Sequence, residues 1–163
     1  MRHHHALKIP RWQKRWLYTG FALLLLSGLP WLLLHYGRDA DALPTTGEAW
    51  LMRLHGLASM FCLLGLGMLT SSHLLPGWRL SGRMGWAQQR STGLWVSVSL
   101  ALCVLLAYGL SYMFPESLHA GAGWAHAGTA VMALSSWWRH RRLARRHVAA
   151  NVAAARVQMP TRK

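Results

Sequence analysis

From Trp16 to Tyr36 the chain reads WLYTGFALLLLSGLPWLLLHY, 21 residues without an Asp, Glu, Lys or Arg. A run of about 20 apolar residues is what a helix needs to cross the hydrocarbon of a bilayer. No water there can take up exposed backbone N–H and C=O groups, so a helix is the form such a segment adopts. Three further segments, 49–72, 92–114 and 118–138, have a similar length and character. Pro30 falls inside the first and is expected to kink it. The expected fold is therefore all-α: a transmembrane four-helix bundle of up-down topology over 16–142. A basic segment, 1–15, precedes it and a basic tail, 143–163, follows.

Composition agrees with that class. With 53% hydrophobic and 13% charged residues, the chain is too oily and too charge-poor for an ordinary soluble domain of 163 residues. A net charge of +14 suits nucleic acid when the basic residues share a folded face. Here they sit in tails and loops between apolar runs, so nucleic acid is not the expected partner and the lipid bilayer is.

The charges also orient the spans. Arg2, Lys8, Arg11, Lys14 and Arg15 precede the first; Arg79, Arg83 and Arg90 lie between the second and third; Arg139, Arg141, Arg142, Arg145 and Arg146 follow the fourth. All four acids, Asp39, Asp41, Glu48 and Glu116, fall on the opposite side. The positive-inside rule then puts both termini in the cytoplasm, and in a bacterium the acids face the periplasm. Ala40-Asp41-Ala42 imitates a signal-peptide cleavage site. The apolar run before it exceeds the usual 7–15 residues, and Arg38 and Asp39 intervene, so the first span is expected to be retained. The tail RHRRLARRHVAANVAAARVQ is expected to continue the last helix and touch anionic headgroups. Trp16, Trp31, Tyr36, Trp50, Tyr112, Trp124, Trp137 and Trp138 lie near span ends, where amphipathic rings favour the headgroup layer. The only cysteines, Cys62 and Cys103, fall inside spans and read as small packing residues. Gly and Pro in the inner connection HLLPGWRLSGRMGWAQQRS mark turns.

Seven histidines remain once the His3–His5 run is set aside. Ionisable groups inside a bilayer are costly and usually face a bundle interior. His55 and His73 are 18 residues apart, five whole turns at about 100° per residue, and so share a face of the second helix. His126 and His140, 14 apart, lie roughly on one face of the fourth. These two helices run in the same direction. His55 and His126 each lie roughly 10 Å inside the outer boundary, while His73 and His140 both lie at the inner one. Histidines from separate helices at matching depth are the arrangement that holds one haem iron from both sides, and two layers hold two haems. The inner-to-outer separations, about 27 Å and 21 Å by helical rise, differ and require tilt.

His35 and His119 sit beside the outer interface, and His119, seven residues before His126, is an alternative ligand. His147 reads as a tail residue. Gly56 beside His55, and Gly121, Gly123 and Gly128 around His126, leave room for a flat macrocycle or for close helix packing. Arg53 is a propionate partner at the outer level, Arg79 or Arg83 at the inner. Met52, Met60, Met68, Met113 and Met132 read as packing residues. No C-x-x-C-H, phosphate loop, nucleophile elbow or H-E-x-x-H is present in the sequence.

The runs LHGLASMFCLLGLGMLTSSHLLPGWRL, RSTGLWVSVSLALCVLLAYGLSY and WAHAGTAVMALSSWWRH together resemble an uncharacterised bacterial inner-membrane family. That family belongs to the two-haem, four-helix cytochrome b superfamily. The shared pattern is a His-Gly pair early in one helix, a histidine before Gly-Trp-Arg, an Arg-Ser-Thr-Gly helix entry and two histidines in the last helix. The resemblance implies b-type haem, one or two, with His55, His73, His126 and His140 as ligands. It also implies electron transfer as in the membrane subunits of hydrogenases and formate dehydrogenases. The chain departs from the pattern at Ala127, where an aromatic is expected, and at His140, which sits in the very basic WWRHRR.

The expected function is a multi-pass b-type cytochrome passing electrons between a quinone pool or redox partner protein and an acceptor, rather than a stand-alone enzyme. The alternative is a haem-free helical membrane protein, either a complex subunit or a His-dependent metal transporter.

Overall fold

The computed structural model describes residues 9–39 and 41–157, with side chains described as far as Arg146. Arg2, the His3–His5 run, Lys8, Ala40, the side chain of His147 and the tail past residue 157 lie outside the described residues. Among those described the chain is all-helical. It forms α1 (Arg11–Gly37), α2 (Thr46–Leu69), α3 (Leu75–Arg83), α4 (Ala87–Tyr108) and α5 (Glu116–Val157), with π turns at Thr70–Leu74 and Gly109–Met113.

Three continuous helical stretches are long and apolar enough to cross a membrane: Arg11–Gly37, Thr46–Arg83 and Ala87–Met113. The fourth expected span lies within α5, which has the length. Its stretch 118–138 is rich in Ala, Gly and Ser and carries two histidines, which dilutes the apolar content. α1 passes through Pro30 without interruption.

Both π turns stand two residues ahead of a proline. A proline has no N–H to donate, and its ring crowds the carbonyl four residues back. Widening the preceding turn relieves that crowding, and the wider turn is closed by Leu75 N–H donating to Thr70 O in one case. In the other, Phe114 N–H donates to Gly109 O at 2.8 Å. After Leu75-Pro76 the helix resumes as α3, so much of the expected inner loop is helical. At Phe114-Pro115 it stops, because Phe114 is extended, as a residue before proline prefers. The turn between α3 and α4 needs a left-handed residue and has Gly85, with φ of 66°.

α2 begins in a capping box. Thr45 Oγ1 accepts from the Glu48 N–H at 3.2 Å, and the Thr45 N–H donates to Glu48 Oε1 at 3.1 Å. Glu48, just ahead of the apolar run 49–72, is buried and also accepts from Arg38 Nη1 at 2.8 Å, with His35 Nδ1 at 3.5 Å. The Thr45 amide holds the Glu48 carboxyl below its ordinary 4.5, against the opposing effect of desolvation and with help from Arg38 and His35. A carboxylate with a lowered folded-state pKa stabilises fully above its unfolded value, and that stability is lost as pH falls through the folded one. The thermal midpoint is therefore expected to be level above about pH 4.5 and to drop below it. In Glu48→Gln the drop is expected to shrink.

The chain divides into two compact units, 1–79 and 80–163. In the first, α1 packs on α2; in the second, α4 packs on α5. Along α1 the buried positions are Gln13, Leu17, Gly20 and Ser27, and along α2 Ala58, Cys62 and Gly65 with Glu48 at the start. Steps of three, four and seven place each set on one helix face. Contacts run in antiparallel register, from Gln13 with Ser72, through Gly20 with Cys62, to Arg38 with Glu48. Large side chains such as Leu25, Leu26, Leu33, Leu57 and Leu64 face outward. Small residues inside and leucines outside is the packing that lipid favours, since small residues let backbones approach and leucine meets tails at no cost.

The close approach is tightest at two glycines. A Cβ on Gly20 would stand 2.5 Å from Cys62 Sγ, and one on Gly65 2.8 Å from Trp16 Cδ1 and 2.9 Å from Leu17 Cδ2. Gly67, two residues on, has nothing within 4 Å. Gly65→Ala is thus expected to cost about 1–3 kcal/mol through overpacking. Gly67→Ala is expected to stabilise by up to about 1 kcal/mol through helix propensity. Denaturation midpoints in detergent give the comparison.

Candidate functional site

Three of the four histidines singled out from the sequence lie in the seams of the hairpins, each half-buried and each engaged through Nδ1. In the first unit His55 reaches across from α2 to α1. Its Nδ1 lies 3.1 Å from Leu24 O and 3.1 Å from Ser27 Oγ. The Ser27 hydroxyl donates to Leu23 O at 2.7 Å. A carbonyl only accepts, so Nδ1 carries a proton, and in the neutral ring the lone pair is on Nε2.

The second unit repeats the arrangement twice. His126 Nδ1 donates from α5 to Cys103 O on α4 at 3.0 Å, with Cys103 Sγ 3.6 Å from the same nitrogen and 3.9 Å from Nε2. Further along the same seam, His140 Nδ1 lies 3.0 Å from Thr92 Oγ1. Thr92 Oγ1 also lies 3.1 Å from Gln88 O and 3.2 Å from Gln89 O, and when its one hydrogen goes to either carbonyl it accepts from the histidine. His126 and His140 both face α4, as their spacing implies. His119 has the opposite tautomer, because its Nε2 donates to Phe114 O at 3.0 Å.

Room for the His55 ring comes from a glycine on the opposite helix, whereas a side chain at Gly93 would meet His140 only at ordinary contact distance. A Cβ on Gly28 would stand 2.9 Å from His55 Cε1 and 3.0 Å from its Nδ1, and one on Gly93 3.5 Å from His140 Cε1. Gly56, expected to give clearance beside His55, is exposed and has nothing within 4 Å. Ser27, Gly28, Thr92 and Gly93 do not stand out in the sequence by the histidine pattern. Their signal there is small and hydroxyl residues recurring at steps of seven along an apolar helix, Gly20–Ser27 and Thr92–Ser99.

His73 departs from expectation in one respect. It sits in the π turn Thr70–Leu74, half-buried, next to Ser72, which exchanges hydrogen bonds with Gln13. The five-turn relation to His55 holds only for unbroken α-helix. A π turn carries an extra residue and rotates the downstream helix by roughly 100°.

The arginines are placed at the helix surfaces. Arg53 is exposed and lies over the Trp50 ring at 5.1 Å; Arg142 lies over Trp138 at 3.5 Å. Trp16, expected as an interface anchor, instead stacks on Phe61 at 3.8 Å and donates Nε1–H to Phe61 O at 2.9 Å. His35 stacks on Trp31 at 4.5 Å near the C-terminal end of α1. Cys62 and Cys103 are free thiols, and among the described residues no three or more His, Cys, Asp or Glu side chains gather into a metal cluster. No protein-family model, curated protein or solved structure matches the chain.

Histidine tautomers are directly measurable. In ¹⁵N-histidine spectra at neutral to alkaline pH, His55, His126 and His140 are expected as Nδ1–H forms and His119 as Nε2–H. Gly28→Ala is expected to displace the His55 ring and change its signal alone.

Proposed function

We propose that this chain is a b-type cytochrome of the bacterial inner membrane, with both termini cytoplasmic, in which His55 and His126 are axial ligands at the outer level. His140 and His73 serve the inner level. The observation that carries this reading is the protonation pattern. Haem-ligating histidines hold one ring N–H on a protein acceptor, which fixes the ring and makes the other nitrogen the donor. His55 and His126 each commit Nδ1–H in that way, to Leu24 O and Cys103 O, and His140 does so to Thr92 Oγ1 when that hydroxyl donates to its own helix. His119 commits Nε2–H instead, to Phe114 O, which leaves as donor the Nδ1 crowded by its own Cβ and backbone and so favours His126. The donor chemistry therefore fits the cofactor that the sequence pattern suggests.

Haem b supplies a one-electron couple, and the protein's work is to set ligand orientation, polarity and access. Ser27 and Gly28 fix the His55 ring from one side of the seam; Cys103 and Thr92 hold the other two. Electrons pass between a quinone or redox partner protein and an acceptor. The same bonds also suit plain helix–helix glue in a haem-free subunit, since such polar contacts contribute about 0.6–2 kcal/mol each within membranes.

Spectroscopy on protein expressed with ample haem separates the two. Reduced-minus-oxidised spectra are expected to show b-type bands, with haem quantified at one or two per chain. His55→Ala and His126→Ala are each expected to remove the same haem, while His119→Ala keeps it. Absence of bands in the wild type overturns the reading and leaves the seam histidines as structural.

A further inference from the structure

A cleft of about 700 Å³ opens on the first unit at the basic end of α1, lined by Arg11, Trp12, Arg15, Trp16, Thr19 and Phe61. Arg11 and Arg15 are exposed and one turn apart, so their guanidinium groups reach one locus. No acid of their own unit neutralises them. Its three acids are Asp39, Asp41 and Glu48. These follow or face the far end of α1, and helical rise puts Gly37 about 33 Å from Arg15. That exceeds the roughly 8 Å reach of a charge at physiological salt several times over. At that far end Glu48 is itself paired with Arg38 and His35.

The cleft floor is formed by stacked aromatic rings. Trp16 lies flat on Phe61, at 9° between planes, and its one N–H is already given to Phe61 O. Phe61 also lines a second, wholly apolar groove of about 380 Å³ between α1 and α2, whose walls include Leu23, Leu57, Ala58 and Leu64. The two meet at this ring, the one residue common to both linings. Leu23 stands about 12 Å along α1 from Arg15, within the half-thickness of about 15 Å that one leaflet offers. Paired guanidiniums recognise phosphate oxygens bidentately, and an apolar groove leading away from them at this depth accepts an acyl chain.

From this geometry we infer a binding site for one anionic glycerophospholipid, its phosphodiester on Arg11 and Arg15 and one acyl chain over Phe61 into the groove. The site uses none of the seam histidines, so it stands apart from the cytochrome reading. Free phosphate shares the headgroup chemistry but has nothing to fill the groove.

Native mass spectrometry of detergent-solubilised full-length protein titrated with phosphatidylglycerol or phosphatidylcholine tests the assignment. The wild type is expected to retain one phosphatidylglycerol in preference to phosphatidylcholine. Arg11→Gln/Arg15→Gln, both at exposed positions, is expected to lower that preference by about tenfold or more. Arg162→Gln/Lys163→Gln removes the same charge elsewhere and is expected to leave it unchanged. Equal losses in both double variants, or none in the first, overturn the site. Displacement of the lipid by inorganic phosphate or glycerol phosphate at comparable concentration overturns the lipid assignment in favour of a simple anion site.

Discussion

Everything in the two hairpins depends on how polar groups are satisfied along a seam narrow enough for helix backbones to approach. The most deeply buried side chains are Gln13, Ser27 and Ser99, not leucines, while most large apolar residues face outward. Burial of apolar area cannot hold such a hairpin together in lipid, because tails are as apolar as leucine. Close packing and hydrogen bonds do that work instead. Each buried hydroxyl therefore needs a destination. Ser27 and Ser99 find theirs on carbonyls of their own helices, Leu23 O and Trp95 O. The histidines then span the gap, which is what makes them part of the fold before they are part of any site.

The two units solve this problem with related chemistry in different residues. In the first, a serine and a carbonyl of α1 take His55; in the second, a carbonyl and sulfur, then a threonine, of α4 take His126 and His140. The histidine is on the later helix of each hairpin every time, and the small acceptor on the earlier one. Ring position is thus set within a unit. Each ring nitrogen is oriented by contacts made inside its own hairpin.

Much of this was legible in the sequence, because membrane length and charge asymmetry are strong, one-dimensional signals. The helical runs followed from the first of these, and the facing of His126 and His140 toward one neighbouring helix from their spacing. What escaped was set by contacts between helices. Gly28, rather than Gly56, clears the His55 ring, and no local pattern distinguishes a glycine facing a partner helix from one facing outward. The phase of His73 escaped for a different reason. Whole-turn counting assumes a uniform helix, and Pro76 three residues later forces a wider turn through it. That proline was visible, and its effect on the preceding turn stems from the missing N–H.

The placement of charge completes the logic of the fold. Four acids among so many cations leave most arginines without an acidic partner in the chain, and one of those acids, Glu48, is wholly occupied in closing α1 against α2. Some arginines settle on tryptophan faces, as Arg53 does on Trp50 and Arg142 on Trp138. A cation on an indole at a span end retains contact with headgroups and water while its stem covers apolar surface. The surplus of positive charge is therefore a property the chain can sustain only where the surroundings provide the anions, and a membrane surface bearing acidic lipid provides them. Polar seams and basic ends thus answer one solvent: the first satisfies groups the hydrocarbon cannot, and the second uses charge the headgroups offer.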